Sequence, residues 1–204
     1  MLTRIHLLLA RSAAFAVMLL VTSAPTMAGN TPTDKAASDA KARDYFSNVE
    51  LIDQNGRSLK FYDEVLKDKI VVISFIFTNC QSACPLMTRN MMMIRDMLRA
   101  DERRAIQFVS ISIDPLRDSP SAMKDFAQKH DADQDGWLWL TGQPDDVNFI
   151  TKRLGSYTDD PEMHTTTLLA ANVRNAHWTK IEPNVPPNGV VARLRLLVEE
   201  NAAP

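Results

Sequence analysis

The stretch IVVISFIFTNCQSACPLMT, residues 70–88, joins two elements and carries the only two cysteines in the chain. Residues 70–77 are an unbroken β-branched and aromatic run of strand length, the pattern of a central strand buried on both faces. Pro85 suits the first turn of a helix. Met87, Met91, Ile94 and Leu98 then recur at helical spacing, which predicts a helix from Pro85 to about Ala100. Cys80 and Cys84 fall at the junction, where a strand hands over to a helix.

The same alternation continues downstream. Residues 106–114, IQFVSISID, read as a second strand, and a right-handed crossover makes it parallel to the first. Ser119 and Pro120 supply an N-cap and a first helical residue for a helix reaching about His130, whose imidazole suits a helix C-terminus. WLWLTG (137–142) is a short strand in which Trp137 and Trp139 alternate with leucines as core positions. Pro144 opens a helix that closes at Gly155. HTTTLLAAN (164–172) and HWTKIEP (177–183) are two strands joined by an Asn-rich turn. Val190, Leu194, Leu197 and Val198 mark a C-terminal amphipathic helix. Upstream, NVELIDQNGRSLKF (48–61) is a hairpin turning at Asn55-Gly56. The result is an α/β domain, a central mixed sheet flanked by helices with an N-terminal β-hairpin. Its order, β-α-β-α then β-β-α, is that of a thioredoxin-like fold.

Composition limits the function. A hydrophobic content of 45% supports a real core, and a formal charge of −2 without a dense Lys/Arg run argues against nucleic acid as a partner. Residues 1–28 read as a signal peptide or an uncleaved anchor. Arg4 and Arg11 precede an apolar stretch too short for a comfortable span, and Thr26-Met27-Ala28 offers a cleavage site. Residues 29–44 have no apolar period and read as a flexible tether. The globular domain then runs over residues 45–201. A periplasmic or otherwise extracytoplasmic location follows, where thiol oxidation state is a variable.

Sites in open α/β sheets form beyond the carboxyl ends of the parallel strands. Cys80 and Cys84 follow the first core strand, and Asp114 ends the second. His164 begins a later strand which, if antiparallel, starts at that same edge, whereas His177 lies toward the opposite one. Four residues of helix rise ~6 Å and return to nearly the same face. That separation permits either a disulfide or two thiolates converging on one metal. A disulfide closing so small a loop constrains the unfolded chain least, which weakens a purely structural role. Two thiolates and an imidazole form a soft donor set that suits copper, as Cu(I) or as Cu(II) with a further ligand. Zinc would ordinarily want a fourth protein ligand.

The segments FIFTNCQSACPLMT, FVSISIDPLRDSP and WLWLTG, then His164 ahead of a Thr-rich strand, resemble the Sco/SenC family in composition and order over about residues 45–167. Members are thioredoxin-fold copper proteins linked to cytochrome c oxidase assembly. The resemblance implies copper ligation by Cys80, Cys84 and His164, with Asp114 as a supporting acid at the end of the second strand. Asp118 matches the motif as well, and its local reading is a turn or cap residue before Ser119. The chain departs from the family at Met163, where an aspartate is common, and in the segment ANVRNAHW. The implied role is a metallochaperone with a redox-active cysteine pair, delivering copper to a client such as the copper-A subunit of an oxidase.

Other readings compete. The pair Cys80 and Cys84 would equally serve a thiol–disulfide oxidoreductase that reduces a client's copper-ligand cysteines, with a thiol–disulfide exchange partner. A peroxidase reading lacks the usual Thr-x-x-Cys spacing and a nearby supporting arginine. Met87 and Met91 fall on an apolar helix stripe and read as core filler. DADQDG (131–136) begins like a calcium loop but has Gly142 where the bidentate glutamate belongs, and reads as an acidic loop.

Overall fold

A computed structural model describes residues 32–201. The expected signal or anchor segment, residues 1–28, lies outside them. Among the described residues no helix is long and apolar enough to cross a membrane.

The fold is thioredoxin-like, built on a seven-stranded mixed sheet. In chain order the elements are α1 (Pro32–Phe46), β1 (Glu50–Ile52), β2 (Ser58–Lys60), β3 (Ile70–Ile76), α2 (Ala83–Met97), α3 (Ala100–Ala105), β4 (Ile106–Ser112), α4 (Pro120–Lys129), β5 (Trp137–Gly142), α5 (Pro144–Arg153), β6 (Leu168–Asn172), β7 (His177–Ile181) and α6 (Pro187–Glu199). The strands lie in the order β2-β1-β5-β4-β3-β6-β7. The central three, β3, β4 and β5, are parallel, with Ile70 opposite Ile106 and Phe108 opposite Trp137. β6 runs antiparallel to β3, and β7 antiparallel to β6.

Every residue of β3 is buried, as its unbroken apolar run requires. Two buried serines at the centre of the sheet satisfy each other. Ser74 and Ser110 share a hydrogen bond of 2.8 Å, and the Trp137 indole N–H donates to Ser110 at 3.0 Å. Trp137 stacks on Trp139 with ring centroids 5.1 Å apart, so both tryptophans belong to the core. Met87 and Met91 are buried on α2, in keeping with the apolar stripe. Gly56, at φ +80, makes the hairpin turn that joins β1 to β2. Gly155, at φ +70, ends α5 with the paired hydrogen bonds of a Schellman motif, Ser156 N–H to Thr151 O and Gly155 N–H to Lys152 O.

Three expectations change. Residues 32–44, read as part of a flexible tether, form most of α1. Alanines at 36, 37, 40 and 42 carry helix propensity without an apolar period. Its C-terminal end is fastened to the domain, by Phe46 stacked on Trp178 at 5.2 Å and by Arg43 paired with Asp63 at 2.7 Å. The helix expected up to Ala100 breaks at Leu98, which turns extended and buried, and a second short helix, α3, follows. β6 begins at Leu168 rather than His164, because Thr165 and Thr167 bond each other through their hydroxyls ahead of the ladder. Asp133, in the acidic loop, is tied to Gln54 and Gln128.

Candidate metal centre

The loop after β3 brings its first cysteine beneath the start of α2. Cys80 N–H donates to Phe77 O at 3.2 Å, a turn that aims the Cys80 sulfur at the exposed amides of the helix. Cys84 N–H donates to that sulfur at 3.3 Å. Burial pushes the Cys80 thiol up, but the N–H groups of Cys84, Ser82 and Ala83 together outweigh it and hold its pKa below the ordinary thiol value. Cys84 is in the first turn of α2 and fully buried. Burial drives its thiol strongly upward, and the neighbouring Cys80 adds to the rise.

His164 reaches the same point from the other side of β3. A turn over Pro161–Met163, capped by the Asp160 carboxylate accepting Glu162 N–H at 3.0 Å, sets its approach. The ring stands edge-on against Phe77, with centroids 5.6 Å apart. His164 Nδ1 lies 2.8 Å from Pro161 O. A carbonyl oxygen only accepts, so Nδ1 carries the proton and Nε2 presents a lone pair. That bare nitrogen lies 3.8 Å from Cys84 Sγ. A backbone carbonyl fixing the far side of an imidazole is the usual support of a metal-ligating histidine.

Cys80, Cys84 and His164 are therefore brought together. Among the described residues no three His, Cys, Asp or Glu side chains already close on an ion as they stand. The donor chemistry fits a soft ion, two sulfurs and one neutral imidazole.

Asp114 does not join them. Its carboxylate pairs with Arg117 at 2.5 Å, and its N–H rests on Ser112 Oγ. The acid that reaches the cysteine loop is Asp118, read from sequence as a turn or cap residue. Its Oδ1 accepts both Thr78 N–H at 3.1 Å and Thr78 Oγ1–H at 2.6 Å, and its Oδ2 accepts Ser112 Oγ–H at 2.6 Å. Its backbone carbonyl accepts Thr141 Oγ1–H at 2.6 Å. One residue thus ties the β3 loop, the end of β4 and β5. Burial pushes its pKa up despite those donors. The second aspartate of the Asp-Pro-x-x-Asp motif was the available signal, but nothing local separates a buried hub from a surface cap. His177 sits at the far end of the β6–β7 hairpin, opposite Asn172 and bonded to Glu200, away from the cysteines. His130 closes α4 against Phe126.

The chain is 34% identical over 111 residues to the SCO1 protein homolog of Bacillus subtilis, covering 53% of this chain and 56% of that protein. It is 34% identical over 107 residues to a putative copper-binding protein of Stutzerimonas stutzeri, covering 52% and 50%. The chain thus spans about half the length of the curated relatives it matches. The crystal structure of a SCO1/SenC family lipoprotein from Bacillus anthracis aligns with a TM-score of 0.63 at 33% identity, covering 74% of this chain and 92% of that one. The family model described as SCO1/SenC matches residues 37–199, from within α1 to the end of α6, and the chain belongs to that family.

Proposed function

We propose that this chain is a copper-binding metallochaperone, holding copper as cargo between Cys80, Cys84 and His164. The observation that carries the reading is His164 Nε2 held 3.8 Å from Cys84 Sγ, eighty positions away in sequence. The relative from Stutzerimonas stutzeri, described as copper-binding, supports the choice of metal. The domain, residues 45–201 with α1 leading into it, would work outside the cytoplasm after export by the N-terminal segment. Its client would be a protein with a thiol-rich copper site, such as the copper-A subunit of cytochrome c oxidase. Oxidation of the cysteine pair removes two thiolates and so releases cargo.

The unequal thiols favour a second activity at the same site, reduction of the client's own cysteines. Cys80, with its lowered pKa, suits attack on a client disulfide. A bond forms between Cys80 Sγ and one client sulfur as the other client sulfur leaves as thiolate. Cys84 then loses its proton and attacks Cys80 Sγ. That step closes the Cys80–Cys84 disulfide and releases the second client thiolate. Two electrons pass from the pair to the client.

A Cu(I) titration of the reduced and the oxidised protein tests the main reading. Stoichiometric binding by the reduced form is expected, with loss of at least tenfold in affinity in His164→Ala and in either Cys→Ser variant. Equal binding after oxidation would sink it. Disulfide reductase activity that survives His164→Ala but not Cys80→Ser separates the second activity from the first.

A further inference from the structure

We propose that the pole of the sheet opposite the cysteines holds a binding site for a compact phosphate-bearing anion. The parallel strands β3 and β4 start side by side there, with Ile70 opposite Ile106. Beside those strand starts lies a cleft of about 630 Å³ lined by Lys69, Arg95, Arg103 and Arg104, with Asp135 the one acidic residue in its lining. Four cations facing one acid is a strong local excess in a chain whose whole formal charge is −2.

The cations come from three separate segments. Lys69 precedes β3, Arg95 lies in the last turn of α2, and Arg103 and Arg104 end α3. Basic residues at a helix C-terminus complement its dipole, and that accounts for a charge or two on α3. It does not account for Lys69 and Arg95 converging on the same cleft. Nor does it account for the distribution of acids. Glu102, next to Arg103 in sequence, turns away to pair with Arg99 at 2.6 Å and Arg195 at 2.9 Å. Arg103 and Arg104 make no ion pair and no side-chain hydrogen bond among the described residues.

Two of the cations are held in place. Arg95 donates one N–H to Asp135 O at 3.1 Å and keeps its remaining donors for other partners. Lys69 is half-buried, its ammonium resting on the Glu64 carbonyl. Burial pushes the Lys69 pKa down; the Glu64 carboxylate opposes this, and the Arg57 cation adds to it. Gathered like charges repel each other, and a bound anion offsets that repulsion. Guanidinium groups bind phosphate oxygens in pairs, with lysine supplying a point charge beside them. A strand of seven residues at ~3.3 Å each puts the cleft about 20 Å or more from the cysteine loop, so the two sites can be filled together.

The anion can be a soluble phosphate or the headgroup of an anionic lipid, and the experiment distinguishes them. The full chain is titrated calorimetrically with pyrophosphate and with inorganic phosphate at constant ionic strength. It is also sedimented with phosphatidylcholine vesicles with and without phosphatidylglycerol. The expected result is binding that falls at least tenfold in the Arg103→Gln, Arg104→Gln double variant and in Arg104→Glu alone. It should persist in Arg193→Gln, an exposed arginine on α6, with melting curves showing each variant folded. Pyrophosphate binding without vesicle retention assigns a soluble anion. Retention on phosphatidylglycerol vesicles that pyrophosphate displaces assigns a headgroup. No binding of any probe by the wild type, or equal binding by the folded double variant, overturns the proposal.

Discussion

Asp118 and Asp114 stand four residues apart in one motif and do different work. Asp114 follows the end of β4 and, though also buried, gives its carboxylate to the exposed Arg117. Asp118 is buried, and its two oxygens take the Thr78 N–H, the Thr78 hydroxyl and the Ser112 hydroxyl. Replacing it by alanine leaves three donors beneath the cysteine loop without an acceptor. Each unsatisfied buried group costs ~1–3 kcal/mol, and partial rehydration of Thr78 moderates the total. Asp118→Ala should therefore lose roughly 2–3 kcal/mol in urea unfolding, whereas Asp114→Ala should lose far less. Comparable losses in both variants would count against Asp118 as the hub. The cysteines and His164 were legible because strand ends and residue spacing put them at one edge of the sheet. Asp118 was not, because burial of a carboxylate follows from which strands surround it, and a single sequence does not display that.

Helices show the same division. α4 and α5 announce themselves by an N-cap serine, by prolines in the first turn and by a glycine stop, all local signals. α1 has none of the apolar period that marks a helix against a core, and among its described side chains Ala42 and Phe46, near its end, pack on the domain. Phe46 is the fastening, stacked on Trp178 and edge-on to Phe61. Phe46→Ala should cost about 3 kcal/mol and release α1, which helical circular dichroism would register. An unchanged spectrum would mean the helix stands on propensity alone. α3 depends on a charge clasp. The Arg195 hydrogen bond, with help from the Arg99 amide and both guanidiniums, holds the Glu102 carboxyl below its usual pKa, against the opposing effect of burial. A depressed carboxylate contributes stability above its unfolded pKa, ~4.3, and that contribution is lost as pH falls through the folded value. The melting temperature of the wild type should therefore fall more steeply from pH 5 to pH 3 than that of Glu102→Gln. Parallel curves would show that the clasp contributes no pH-dependent stability.

At the scale of the molecule, the sheet keeps two unlike poles apart. The soft donors gather where β3 ends and β6 begins, and the basic cleft lies where β3 and β4 begin. The core between them, including the Trp137–Trp139 stack and the Ser74–Ser110 pair, was largely readable as alternation and unbroken apolar runs. The poles were not equally readable. The soft one is encoded in a compact motif and one distant histidine, while the basic one collects side chains from separated segments without any motif. The antiparallel docking of β6 on β3 has a further consequence. Cys84 and His164 are eighty positions apart and meet only once that docking is complete. If the three donors hold copper as proposed, a chain caught partway through folding offers two sulfurs without the imidazole beside them, and a full-strength grip on cargo doubles as a certificate that the sheet is finished.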